Sequence, residues 1–79
     1  MTIRKTSAWQ TDAELEQYAT MLAYKTKSAE WPESGWYWRQ YHSPFAMRQH
    51  LKGVKGWEMS FADTGPFRTQ AEARKDAIG

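Results

Sequence analysis

The chain contains no cysteine, so neither disulfide bonds nor thiolate metal ligands contribute to its stability. It also lacks any apolar run close to the roughly 20 residues that cross a bilayer. Its first residues, with Arg4 and Lys5 followed by polar residues, do not form the hydrophobic stretch of a signal peptide. These absences favour a cytoplasmic protein that does not enter a membrane, although exported proteins can lack cysteine as well.

Large aromatic residues are what the chain has in abundance. Five Trp, four Tyr and three Phe make up 15% of its 79 residues, while the mean hydropathy is only −0.86. A chain of this length has room for one core, so we expect residues 1–79 to form a single domain. Such rings serve either to pack a small core or to line a binding surface, and composition does not separate the two uses.

Capping patterns predict three helices. Thr11 and Glu14 form a capping box, and Leu15, Tyr18, Ala19 and Leu22 follow at the spacing of one helical face, so a first helix is predicted to end near residues 25–28. Ser43, Pro44 and Gly53 suit the ends of a short helix over residues 45–52, with Met47, Leu51 and Val54 facing inward, or else an irregular loop. A second capping box, Thr69 with Glu72, predicts a final helix with Ala73 and Ala77 inward.

Strand signals fall between these helices. Residues 36–42 are rich in aromatic residues, and we expect Trp36 and Trp38 to face inward, with Tyr37, Arg39 and Tyr41 outward. Strict alternation predicts a second strand over residues 57–61, turns are predicted at residues 31–35 and 63–66, and residues 2–6 could add an edge strand. The predicted fold is α+β: a small antiparallel sheet of two or three strands, covered by an N-terminal and a C-terminal helix, with a short helix between the strands.

Residue patterns for catalysis are weak. There is no cysteine nucleophile and no Gly-x-Ser-x-Gly turn, and His42 and His50 lack the spacing of a zinc pair. Glu58 and Asp63 have nothing in the sequence to place them across a cleft, and residues 53–56 are too short for a phosphate-binding loop. We therefore predict a protein that is not an enzyme and has no cofactor, no metal and no catalytic residue.

Positive charge is concentrated in the middle of the chain. The net charge is only +2, yet residues 39–57 contain no Asp or Glu. The bland interpretation is a solvated basic face, but arginine interleaved with rings is also typical of protein interfaces and of single-stranded nucleic acid sites. The predicted partner-binding residues are Tyr37, Arg39, Tyr41, Arg48, Lys52 and Lys55.

Residues 56–61 and 64–69, with Glu72 and Ala73 after them, resemble the endings of small accessory proteins encoded by phages and mobile elements. The shared features are a Trp-bearing strand, a Gly-Pro-Phe turn and a Thr-capped helix, which are fold signals and cover a short part of the chain. The resemblance implies an inhibitor of host machinery, of the size of anti-CRISPR proteins. One departure is charge, since inhibitors that mimic DNA are strongly acidic and this chain is slightly basic.

The sequence thus predicts a non-catalytic binding protein that docks on a host protein or a protein–nucleic acid assembly, as a phage-type inhibitor such as an anti-CRISPR would. The alternative is a module that binds nucleic acid directly through a basic and aromatic surface. Neither hypothesis requires a membrane, and the oligomeric state is left open.

Overall fold

A four-stranded antiparallel sheet forms the centre of the protein, as seen in a computed structural model that describes residues 9–79. The strands lie side by side in chain order, and three helices accompany them. The elements are β1 Gln10–Thr11, α1 Ala13–Glu16, β2 Thr20–Lys25, β3 Gly35–Tyr41, α2 Pro44–Leu51, β4 Phe61–Phe67 and α3 Gln70–Ile78. The prediction of a sheet with two or three strands is therefore wrong, and the suggested edge strand at residues 2–6 lies outside the described residues. Within residues 9–79, no helix has the length and apolar character needed to cross a membrane.

The first predicted helix is mostly a strand. Only one helical turn, α1, forms, and its N-cap is Asp12, whose carboxylate accepts hydrogen bonds from the amides of Glu14 and Leu15. Ala19 has a positive φ of 58°, which ends the helical path, and β2 begins at the next residue. Side chains are buried on both faces of β2, and a strand of that kind lacks the alternation that identifies a half-exposed one. The apolar spacing of residues 15–22 therefore imitated a helical face.

The other two helices are confirmed. The hydroxyl of Ser43 accepts a hydrogen bond from the amide of Ala46 at 3.1 Å and starts α2 with Pro44 in its first turn, so the loop alternative is excluded. The hydroxyl of Thr69 accepts one from the amide of Glu72, also at 3.1 Å, and starts α3. Both caps could be predicted from the sequence because the side-chain oxygen and the amide that it binds are only three residues apart.

The last strand lies further along the chain than alternation predicted. Residues 57–60 form turns, and β4 runs through the residues predicted as a turn. Gly65 lies within β4 because the strand passes very close to β3: a Cβ there would be 2.7 Å from the carbonyl oxygen of Trp36 and from the Tyr37 ring. The pairing of β3 with β4 is irregular between Trp36 and Trp38. Glycine therefore marks a close approach of two strands here and not a reversal of the chain.

Both faces of the sheet carry packed side chains. On one face Leu22, with Trp36 and Trp38 beside it, packs against Leu15 from α1 and Ala73 from α3. On the other face lie Met21, Ala19 and Tyr41, packed against Ala46 and Met47 from α2. The prediction that only the tryptophan face points inward is therefore wrong, because α2 lies over the tyrosine face.

Candidate docking surface

Half of the predicted partner-binding residues lie inside the protein. Tyr37 and Tyr41 are only 5% and 4% exposed. The Tyr37 hydroxyl donates a 2.8 Å hydrogen bond to the carbonyl oxygen of Glu33, and the Tyr41 hydroxyl shares a 2.9 Å hydrogen bond with Nδ1 of His50. The expectation that these rings face solvent is wrong, and they are not available to stack on a partner.

Arg39 is the third member of this inward face. Its guanidinium carbon lies 4.2 Å from the centre of the Trp9 ring and 3.8 Å from that of Phe61, so the cation is held between two aromatic rings. Its side chain is 11% exposed and makes a salt bridge of 2.7 Å with Asp63. Burial lowers the pKa of Arg39, but the hydrogen bond and charge of Asp63 outweigh burial and raise it overall. Arg39 therefore stabilises the interior as a permanent cation.

Lys25 joins the same layer, and sequence reasoning missed it. Its ammonium nitrogen lies 4.5 Å from the centre of the Trp9 ring and 5.4 Å from that of Trp31, and the residue is only 6% exposed. Burial lowers the pKa of Lys25, and the neighbouring positive charge of Arg39 lowers it further. Because residues 20–25 were assigned to a helix, no pattern placed this lysine on the Arg39 face.

The other three predicted residues do reach solvent. Arg48 and Lys52 are four residues apart on α2 and its C-cap, which places them on one helical face, and Lys55 follows in the next turn. The opposite face of α2 carries the buried Ala46 and Met47. The structure therefore separates the six predicted residues into a buried group on β3 and an exposed group on α2 and the loop after it.

Apolar side chains accompany these exposed cations. Leu51 is 54% exposed, Phe45 53%, Val54 42% and Met59 89%, and they are four of the six large apolar residues exposed within residues 9–79. The predicted inward positions of Leu51 and Val54 are wrong, whereas that of Met47 is confirmed. We call this set the α2 surface, and it comprises Phe45, Arg48, Leu51, Lys52, Val54, Lys55 and Met59.

The loop that completes the α2 surface is fastened to the helix. The Val54 amide donates a 3.1 Å hydrogen bond to the Gln49 carbonyl oxygen just past the end of α2. Further on, the Trp57 ring packs edge-to-face against Phe45, with ring centres 5.5 Å apart. Trp57 also packs against the buried cluster of Tyr41 and Met47. The loop therefore starts at the end of α2 and returns, at Trp57, to the start of the helix.

Charge on the α2 surface is not neutralised by the described part of the chain. The ion pairs within residues 9–79 involve Arg39 and Arg74, and none involves Arg48, Lys52 or Lys55. Glu58 is the one carboxylate within residues 44–60, and its Oε1 accepts a 3.2 Å hydrogen bond from the amide of Gly56. The surface is therefore positive as well as apolar.

Elsewhere in the described structure, the polar groups that could form a site already have partners within the protein. A shallow groove of about 640 Å³ lies beside α3, but its carboxylates Glu72 and Asp76 are engaged by the Arg68 amide and the Trp38 indole. No group of three or more potential metal ligands occurs from Trp9 onward. Of the two carboxylates considered in the sequence, Asp63 forms a salt bridge with Arg39, and Glu58 accepts a hydrogen bond from the Gly56 amide.

No protein-family model, curated protein or solved structure matches this chain. Its class is defined by its architecture, a four-stranded antiparallel meander with helices packed on both faces. The site that distinguishes it is the α2 surface, which combines exposed apolar groups with cations that form no ion pair within residues 9–79.

Proposed function

We propose that this protein is a non-catalytic binding protein that docks on a host protein or a protein–nucleic acid assembly through its α2 surface. The observation that carries the proposal is the concentration of exposed apolar side chains and unneutralised cations on one helix and its following loop. Exposed apolar patches with a polar or charged rim are typical of interaction sites.

The helix α2 is held rigidly against the sheet, which supports a docking role for its exposed side. The inner face of α2 is anchored by Ala46 and Met47, and His50 stacks on Phe61 with ring centres 5.2 Å apart. A helix fixed in this way loses little conformational freedom when its outer face meets a partner, which favours binding.

A phage-type inhibitor such as an anti-CRISPR remains our proposal for the biological role. It rests on the resemblance of residues 56–61 and 64–69, with Glu72 and Ala73 after them, to small phage and mobile-element proteins. The Thr69 cap of that pattern is present, but Trp57 precedes β4 and residues 65–67 lie within it. An inhibitor with a positive α2 surface would approach an acidic face of its target, and would not act by imitating DNA.

Retention of partners from host lysate, after nuclease treatment, tests the docking function. The immobilised wild type is compared with Leu51→Ser and with Lys75→Glu, which reverses an exposed cation on α3 as a matched control. We expect at least one protein to be retained by the wild type and by Lys75→Glu but lost with Leu51→Ser, because Leu51 is 54% exposed and provides apolar contact area on this surface. Equal retention by all three proteins, or none by any, would refute docking through α2.

Direct nucleic-acid binding is the second candidate, and the exposure of Arg48, Lys52 and Lys55 favours it. If each lysine contacts one phosphate, replacing it with Ala should reduce the slope of log affinity against log salt by about one. An affinity for single-stranded DNA that does not change with salt would exclude this function.

A further inference from the structure

The kind of side chain exposed on the α2 surface narrows the class of partner. Leu51, Val54 and Met59 are aliphatic or thioether groups, which bind other apolar side chains and have no flat face for a base. Phe45 is the one ring in the set, and its neighbour Trp57 occupies part of it in an edge-to-face contact. The tyrosines that would have stacked bases are buried. The surface therefore suits a protein better than a nucleic acid.

The arrangement of charge on the α2 surface narrows the class of partner further. Leu51 is exposed at the end of α2, three residues from Arg48 and next to Lys52, so apolar contact area has cations beside it. Lys55 extends the positive charge beyond the helix, past Val54. Glu58, the one carboxylate within residues 44–60, accepts a hydrogen bond from the Gly56 amide in its own turn. A partner that buried this surface would have to supply the missing negative charge, because an unpaired cation is costly to desolvate.

On the basis of the proposed docking function, we infer that the partner of the α2 surface is an acidic amphipathic protein segment. Its apolar side chains would cover Leu51, Val54 and Phe45, while carboxylates on its flanks would pair with Arg48, Lys52 and Lys55. This combination of apolar contact with flanking charge pairs gives affinity through the first and partner selection through the second.

Selection from a phage-displayed random-peptide library, with the immobilised full chain as bait, tests this inference. We expect the retained peptides to be enriched in Asp and Glu interleaved with Leu, Ile or Phe, relative to the unselected library. Retained peptides without acidic enrichment would overturn the inference.

Variants of the full chain then locate the contact. The most enriched peptide is titrated by fluorescence anisotropy against the wild type, Leu51→Ser, Lys52→Glu and the control Lys75→Glu. We expect about a tenfold or greater loss of affinity with each of the first two variants and a change of less than about twofold with the control. A peptide whose acids are replaced by Lys should bind Lys52→Glu better than the wild type, because the charges then complement one another. Equal binding to all variants would overturn the inference.

Two competing occupants give distinct results. Tighter binding of a single-stranded DNA oligonucleotide than of any selected peptide would overturn the inference in favour of nucleic acid. If the free chain forms a dimer in analytical sedimentation and Leu51→Ser abolishes the dimer, the inference would be overturned in favour of a second copy of the chain. The two experiments also distinguish failure of this inference from failure of the docking function. If lysate proteins are lost with Leu51→Ser but the selected peptides are not acidic, the docking function is supported and the inferred acidic partner is wrong. If no lysate partner depends on Leu51, the docking function itself fails.

Discussion

Arg39 and Asp63 face each other across β3 and β4 and are joined by two hydrogen bonds, Nε to Oδ1 at 2.7 Å and Nη2 to Oδ2 at 3.0 Å. The guanidinium lies between the rings of Trp9 and Phe61, so the pair fixes an edge strand to the centre of the sheet and to the segment before β1. A bidentate pair of this kind is directional, because both partners are planar.

Replacing Asp63 with Asn should destabilise the protein by about 2 kcal/mol, because the side chain keeps its shape while the mostly buried Arg39 loses its counter-charge. Urea denaturation followed by tryptophan fluorescence measures the change. Glu16→Gln, at an exposed position on α1, is the control and should alter the free energy of unfolding by less than about 0.5 kcal/mol. Equal stability of the two variants would show that the Arg39 pair contributes little.

Acid should weaken the link between the two ends of the described chain. The hydrogen bond from Arg74 holds the pKa of Asp12 below its usual value, against a smaller opposing effect of burial, and the amides of Glu14 and Leu15 lower it further. Because the folded pKa is lower than the unfolded one, the stabilisation is complete above about pH 5 and is lost as the pH falls through the folded pKa.

Asp12→Asn keeps a capping side chain but has no charge to titrate. We expect the free energy of unfolding of the wild type to fall more steeply than that of Asp12→Asn between about pH 6 and pH 3. Denaturation curves across this range provide the measurement, and Arg74→Gln should reproduce the flatter profile. Parallel profiles of the wild type and Asp12→Asn would contradict the assigned role of Arg74.

Raising the pH should stabilise the protein through Lys25. Burial first, and the charge of Arg39 second, lower the pKa of Lys25 in the folded state, so between that pKa and about 10.4 the unfolded chain binds more protons. Stability should therefore rise with pH in this window. Lys25→Met has no amine to titrate, and the stability of the wild type relative to this variant should increase from about pH 7 to pH 10. A constant difference would mean that Lys25 titrates alike in both states.

Gly65→Ala should destabilise the protein more than Gly53→Ala. A Cβ at position 65 would meet the Trp36 carbonyl oxygen and the Tyr37 ring at 2.7 Å, whereas nothing lies within 4 Å of one at position 53. Both glycines have a positive φ, 152° at Gly65 and 84° at Gly53, so each variant carries a backbone cost while the clash is confined to position 65. We expect an additional loss of about 1–3 kcal/mol in thermal or urea denaturation for Gly65→Ala. Equal losses would show that β4 moves away from β3 without cost.

Local signals account for the parts of the fold that the sequence predicted. Ser43 and Thr69 cap their helices through amides three residues away, and such contacts depend on nothing distant. The same local logic failed for β2, because Leu22 fits a helical face by spacing while its actual partners, Trp38 on β3 and Gln10 on β1, are distant in sequence. Strand pairing is decided by such long-range contacts, and a single sequence does not display them.

The candidate site was predicted in part for the same reason. The sequence showed a segment with cations and no acidic residues, and the three cations of that segment on α2 and the loop after it are exposed in the structure: Arg48, Lys52 and Lys55. Alternation placed Tyr37 and Tyr41 on one face correctly, but it does not say which face a neighbouring helix covers. The exposed apolar half of the α2 surface was missed, since Leu51 was assigned inward by its helical spacing from Met47. Ala46 and Met47 are buried, whereas Leu51, one turn beyond Met47 at the end of the helix, is 54% exposed.

The pairing of Arg74 with Asp12 and Glu14 joins residues 62 and 60 positions apart. During synthesis, the ribosome must release α3 before this contact can close and before Ala73 can cover Leu22. Until that moment the nascent chain would leave the tryptophan side of its sheet open to water, chaperones and proteases. A variant that stops within residues 70–79 should therefore be degraded in the cell instead of acting as a slightly shorter working protein.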